Sequence, residues 1–272
     1  MQTRDSGAGK TKGGCVGGGY YKQVTPDGVN RRIPPSWLGL SDRLNRNLQR
    51  QSRLLFPSAQ AKFHQMFVSR EEAGHRLGNF LKDSGIQADL VVGLPRGGVV
   101  VASEVAHVLG LPLDVLVVRK IGHPLQREFA VGAMAEEGVV IIDERVVGRN
   151  PLIRFELDRV IAEEQDRMRG YQAAFHQNVS HPYADKSVLL VDDGLATGAT
   201  TEAAVLAAKK KNARRVIVAA PVASTNAVER LSHVADDVRA LFIDPDFDAV
   251  GRYYDIFSQT TDQEVMQLLR AA

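Results

Sequence analysis

Apolar positions recur with a regular period only from Phe67 onward. Over Arg70–Asp83, Ala73, Leu77, Phe80 and Leu81 fall on one helical face, with Ser69 placed to cap the first turn beside Glu71 and Glu72, which predicts an amphipathic helix. Asp89–Leu94 is a short apolar run and predicts a strand. Gly97–Leu109 reads as a helix closed by Gly110, and Leu113–Val118 as a second strand. Phe129–Ala135 and Val139–Asp143 predict two further strands, turned through Glu137-Gly138, before a long charged helix over Leu152–Gln177. The pattern then gives strand Ser187–Val191, helix Ala199–Lys211, strand Arg215–Ala220, helix Asn226–Val234, strand Val238–Ile243 and a terminal helix capped at Thr261. Strands that are apolar throughout, separated by helices, predict an α/β fold with a parallel twisted sheet covered on both faces. In such sheets ligands sit beyond the carboxyl ends of the strands, so the residues there decide the chemistry.

Residues 1–65 have no such period. Seven of the first 19 residues are Gly, and Pro26, Pro34, Pro35 and Pro57 follow. They hold 11 Lys or Arg against 3 Asp or Glu, whereas the rest of the chain holds 23 against 29. A segment of this kind cannot bury enough apolar surface to offset its ordering entropy, so a disordered basic extension over 1–65 and a folded domain over 66–272 are expected. Synthesis beginning at Met66, an organelle transit peptide and nonspecific nucleic-acid contact are other readings of the extension. Gly9-Lys10-Thr11 is no P-loop, because Arg4 stands where the first Gly is required. The acidic balance of the body argues against nucleic acid as a partner. No apolar run approaches the ~20 residues of a membrane span. The one cysteine, Cys15, permits no disulfide within the chain, which fits a cytoplasmic location.

Three strand ends carry unusual residues. In Val188–Thr201 an apolar strand delivers Asp192 and Asp193, and a turn through Gly194, Leu195, Ala196, Thr197 and Gly198 opens a helix at Ala199, Thr200 and Thr201. A helix N-terminus with Gly and Thr favours a phosphate, held by backbone dipoles since no Lys is present. The two carboxylates suit the hydroxyls of a neighbouring sugar, and could help hold Mg2+ through water. The second site is Gly93-Leu-Pro-Arg-Gly-Gly98, where Gly97 and Gly98 open a helix beside the fixed charge of Arg96. At the third, Arg119 and Lys120 precede the loop Ile121–Glu128, which contains His123 and Arg127.

These motifs resemble the type I phosphoribosyltransferases, which bind 5-phosphoribosyl 1-pyrophosphate (PRPP) with Mg2+. The resemblance covers roughly Phe67–Tyr254. It implies that Asp192 and Asp193 bind ribose and that Ala196–Thr201 holds the 5-phosphate. Arg96, Gly97 and Gly98 would bind pyrophosphate, with a cis peptide bond between Pro95 and Arg96. Arg119 and Lys120 would neutralise the leaving group under a mobile loop. Asp-Asp-x-Leu-Ala-Thr-Gly is most similar to the adenine branch, Arg-Gly-Gly to the xanthine/guanine branch, and Arg-Lys to the orotate and adenine enzymes. Hypoxanthine/guanine enzymes usually carry Asp where Ala196 stands. The segment from Asp244 to Tyr254 is similar to the one that stacks on a purine, which would place Phe247 on the base and Val250 at its edge, within a small hood. The implied reaction is transfer of phosphoribose to a nitrogen nucleophile, a nucleobase with purine favoured, as in purine salvage. A nucleotide-binding regulator with little turnover and a phosphoribosyl hydrolase are the other readings, and a homodimer is a candidate assembly.

Overall fold

The computed structural model describes residues 66–148, 151–176 and 181–272, and the backbone of the two-residue strand β1 (Lys22–Gln23). The extension expected over 1–65 otherwise lies outside the described residues. Five strands form a parallel sheet: β2 (Leu90–Gly93), β3 (Leu113–Val115), β7 (Ser187–Val191), β8 (Arg215–Ser224) and β9 (Asp237–Asp244), in the order β3-β2-β7-β8-β9. A smaller antiparallel sheet contains β4 (Val118–His123), β5 (Gln126–Ala135) and β6 (Val139–Ile142), with β1 along the edge of β6. The helices are α1 (Arg70–Asp83), α2 (Gly97–Leu109), α3 (Glu144–Val147), α4 (Pro151–Phe175), α5 (Ala199–Lys210), α6 (Thr225–Ser232) and α7 (Asp262–Ala271).

Alternation along the strands divides the parallel sheet between two cores. Val91, Leu189, Val191, Ile217 and Ala219 pack with Leu77 and Leu81 of α1, Val99 and Val105 of α2, and Val265 and Leu269 of α7. Leu90, Val92, Leu190, Val216 and Val218 pack on the other face with Ala203, Ala204 and Ala207 of α5 and Leu231 of α6. Each buried Val or Leu contributes about 1.5–3 kcal/mol, so burial on both faces holds the strand ends in place. Among the described residues, no helix is long and apolar enough to cross a membrane.

Two expectations need correction. Leu113–Val118 is not one strand. β3 ends at Val115, and the chain passes to the second sheet with Leu116 N–H donating to the Gly93 carbonyl at 3.2 Å and Val117 N–H to Glu136 Oε1 at 2.8 Å. Arg119 and Lys120 therefore lie within β4 rather than at the end of a parallel strand. Ile121–Glu128 is also not an open loop: β4 and β5 pair up to His123↔Gln126 with a bulge at Gly122, leaving Pro124-Leu125 as the turn. A smaller difference is that β8 runs through Pro221 to Ser224. The proline is tolerated because its neighbours pair with β9 around it and β7 has already ended at Val191.

Candidate active site

β7 is buried along its whole length and delivers Asp192 and Asp193 into half-buried positions at its carboxyl end. Burial pushes both carboxyls above the usual range. Repulsion from Asp193 adds to the effect at Asp192, whereas Arg70 pulls Asp193 back down, and Lys120 is near enough to lower both. Asp192 Oδ1 accepts the Asp193 N–H at 2.9 Å.

The turn that follows is anchored from one side. The Leu195 and Ala196 carbonyls accept from the Ser224 N–H at 2.8 Å and the Ser224 hydroxyl at 2.6 Å, and the Thr197 carbonyl accepts from Arg230 at 3.0 Å. Gly198 has φ 70°, a left-handed backbone that disfavours a side chain, and α5 begins at the next residue. Thr197 is exposed, its hydroxyl accepting the Ala199 N–H at 3.4 Å, and Thr200 is half-buried, whereas Thr201 is buried at 1%.

A contrast among helix N-termini points to the ligand. Side chains cap α1 (Ser69), α3 (Asp143), α6 (Ser224) and α7 (Thr261). The N-cap residues of α2 and α5, Arg96 and Gly198, make no side-chain cap, and at α5 the first N–H, that of Ala199, donates to the Thr197 hydroxyl at a long 3.4 Å; these are the two helices that begin at the sites read from the sequence. The one acidic residue in their first turns, Glu202 of α5, is ion-paired to Arg230 at 3.0 Å. Uncapped N–H groups with a partial positive charge are what an anion needs.

The start of α2 lies directly against the acid pair. A Cβ on Gly97 would lie 2.1 Å from Asp193 Oδ2, and one on Gly98 would lie 2.9 Å from both Cα and Oδ1 of Asp192. Only glycine permits this approach. The Pro95–Arg96 peptide bond is cis, as the resemblance implies.

With that geometry in place, comparison with known proteins is decisive: the phosphoribosyl transferase domain family matches residues 70–251. The chain belongs to that family. It is 39% identical over 208 residues to Mycobacterium tuberculosis proteins of strains H37Rv and CDC 1551, whose names assign them provisionally to the phosphoribosyl transferases. The match covers 76% of this chain but 47% of theirs, so the chain spans about half the length of these relatives. The crystal structure of TT1426 from Thermus thermophilus is 42% identical and superimposes with a TM-score of 0.62, covering 75% of this chain and 98% of that one.

In this phosphoribosyl transferase domain, a cavity of about 700 Å³ adjoins the Arg96 loop and runs between β4, β5 and α4. Arg96, Arg119, Lys120, Arg127 and Arg167 line it, with Glu163, Glu164 and Tyr171 on the helix side. Most of its cations are already engaged. Arg119 is ion-paired to Glu164 and lies over the Tyr171 ring, Arg167 reaches Glu164 at 2.6 Å, and Arg127 reaches Glu163 at 3.1 Å. Arg96 is 3.6 Å from Asp262, with both side chains 44% exposed. His123 accepts the Leu125 N–H within the hairpin turn.

Val250 packs over Gly194, whose Cβ position would lie 2.6 Å from it, so this residue does reach the acid turn. Phe247 stacks on Tyr253 with ring centroids 5.2 Å apart. The sequence reading missed Arg70, Arg230 and Tyr254, whose hydroxyl donates to the Asp193 carbonyl at 2.6 Å. Arg70 left one signal: a cation as the first residue of a helix opposes the helix dipole and calls for a partner.

Proposed function

We propose that this domain transfers the 5-phosphoribosyl group of PRPP to a nitrogen nucleophile, releasing pyrophosphate. The observation that carries this reading is the contact of Gly97 and Gly98 with the acid pair, which brings the start of α2 against the same two carboxylates that lead into the start of α5. The α5 turn suits a terminal phosphate, Asp192 and Asp193 the ribose hydroxyls, and the Arg96 loop the pyrophosphate. The C1–oxygen bond breaks with its electrons on pyrophosphate, the nitrogen lone pair forms the C1–N bond, and the nitrogen proton leaves to water. The protein contributes position and charge stabilisation. Lys120 is the proposed leaving-group cation, because it is exposed and close to both carboxylates. Arg119 is proposed to act alongside it once freed from Glu164.

Magnesium would neutralise the pyrophosphate oxygens. Among the described residues, no group of three or more His, Cys, Asp or Glu forms a metal cage. Two adjacent carboxylates beside an anion site fit a hard cation that keeps its waters and arrives with the substrate. The proposed acceptor is a nucleobase, a purine first, read by Val250 and by the half-buried Phe247. A cytoplasmic location and a homodimer complete the reading; the exposed Leu152 and Phe155 at the start of α4 offer an apolar face to a second copy.

The test is pyrophosphate release from PRPP with Mg2+ by the full chain, across a panel of bases and without base. Release that depends on one base supports the transferase and names the acceptor. Release without base indicates a hydrolase, and binding without release a regulator.

A further inference from the structure

We infer that Arg70 is a positioning residue of this site: it fixes the Asp193 carboxylate against the Arg96 loop and joins the segment Tyr254–Ser258 to the same point. The inference rests on the reading of Asp193 as a ribose ligand.

Arg70 opens α1 and is 9% exposed. Its Nε donates to Asp193 Oδ2 at 2.8 Å, and a second guanidinium nitrogen donates to the Ser258 carbonyl at 2.8 Å. The guanidinium lies over the Phe257 ring, 3.8 Å from its centroid. The Cβ position of Gly97 is 2.7 Å from Arg70 Nε and 2.1 Å from Asp193 Oδ2, so α1, the pyrophosphate loop and the acid turn meet at one place. The Tyr254 hydroxyl holds the Asp193 carbonyl from the other side. The start of the described body is tied to the same segment, since Met66 and Phe67 N–H donate to the Tyr253 carbonyl and Asp255 N–H donates to that of Phe67.

A carboxylate that must accept from ribose hydroxyls works only in one orientation, and it shares its surroundings with a pyrophosphate that would repel it. A planar guanidinium, with donors in a fixed fork, can hold Asp193 and the Ser258 carbonyl at once; a lysine ammonium offers a point charge and no fork. Placing a buried cation at a helix N-terminus is unfavourable unless its partners compensate, and here the compensating partner is a residue of the ligand site. Arg70 does not reach reacting atoms. It acts through Asp193.

The experiment is calorimetric titration of the full chain with Mg-PRPP, ribose 5-phosphate and Mg-pyrophosphate, on the unsubstituted protein, Arg70→Met and Arg70→Lys. Loss of one charged hydrogen bond predicts that Arg70→Met weakens PRPP and ribose 5-phosphate about tenfold or more, with pyrophosphate affinity unchanged. Arg70→Lys should restore part of the loss, and it carries the test if Arg70→Met does not fold. Equal weakening of all three ligands would reduce Arg70 to a packing residue, and undiminished PRPP binding by both variants would overturn the inference outright. If the unsubstituted chain itself fails to bind PRPP, the site reading falls first and this inference with it.

Discussion

Arg119 is ion-paired to Glu164 of α4, whereas Lys120, its neighbour on β4, is exposed and near enough to Asp192 and Asp193 to lower both carboxyls. Successive strand residues point to opposite faces, so the two cations have different partners although both line the cavity. Glu164 is 9% exposed at its side chain and also binds Arg167, which makes it the anchor of the cavity wall.

This division separates two variants. Lys120→Ala should lower kcat/KM by about 10²-fold or more, the size of a lost charge-stabilising group, with little change in Tm. Glu164→Gln should cost about 2–3 kcal/mol of stability, below the figure for a fully buried pair because Arg119 keeps 24% of its side chain exposed. Steady-state kinetics and thermal melts on both variants check this. Equal kinetic losses with no difference in melting would show that the Arg119–Glu164 pair serves the reaction rather than the fold.

Gly97→Ala should weaken PRPP binding, since its Cβ would meet Asp193 Oδ2 at 2.1 Å and displace it. Ala is otherwise a better helix former than Gly at this helical position. A melting temperature that holds while Mg-PRPP affinity falls at least about tenfold, roughly 1.4 kcal/mol, is the expected result. Unchanged affinity would mean that the approach of loop to acid pair has no part in binding.

Away from the ligand site, Glu136 ties three elements together and should govern stability against pH. It is 3% exposed and accepts from Val117 N–H, His176 Nε2 and Lys211 Nζ, each at 2.8 Å. Burial alone would raise its pKa, but the hydrogen bonds from His176 and Lys211 outweigh that and leave it lowered. His176 is raised, chiefly by the same hydrogen bond. The Glu136 contribution is present above its unfolded value of 4.5 and lost as pH falls through the folded one. The His176 contribution is present below its unfolded value of 6.5 and lost as pH rises through the folded one. Melts of Glu136→Gln and the unsubstituted chain should therefore differ most between pH 4.5 and 6.5 and converge partly on either side. A difference that does not vary with pH would rule out the ion pair as its source.

Much of this site could be read from local sequence, because local rules fix it. Ser187–Val191 is apolar at every position except its first residue, and the turn from Asp192 to Gly198 has the chemistry of a strand-to-helix phosphate loop, so both appear where the pattern places them. The course of Leu116–Lys120 could not be read this way. Its apolar run is equally compatible with one strand or two, and the choice is made by Glu136, distant in sequence, through the Val117 N–H. Arg70 was hidden for a similar reason, since its partners are 123 and 188 residues away and no period or spacing links them. Phe247 is a related case: its spacing gave no sign that the ring stacks on Tyr253.

Asp192 allows a last prediction in which stability and binding move in opposite directions. Its carboxyl is raised by burial and then by repulsion from Asp193, so holding it ionised in the folded protein is unfavourable. For an acid raised on folding, the contribution to stability is greatest below the unfolded value of 3.8 and is lost as pH rises toward the folded one. Asn in its place keeps an oxygen to accept the Asp193 N–H and removes the charge. Asp192→Asn should thus melt at or above the temperature of the unsubstituted chain, with an advantage that grows as pH rises from about 4 to about 8, while Mg-PRPP binding falls at least about tenfold. Thermal melts across that range, paired with calorimetry at neutral pH, give both readings from the same preparations. A variant that is destabilised at high pH would show that the ionised Asp192 is held by favourable contacts in the free protein, and one that binds PRPP normally would remove this carboxylate from the ribose site.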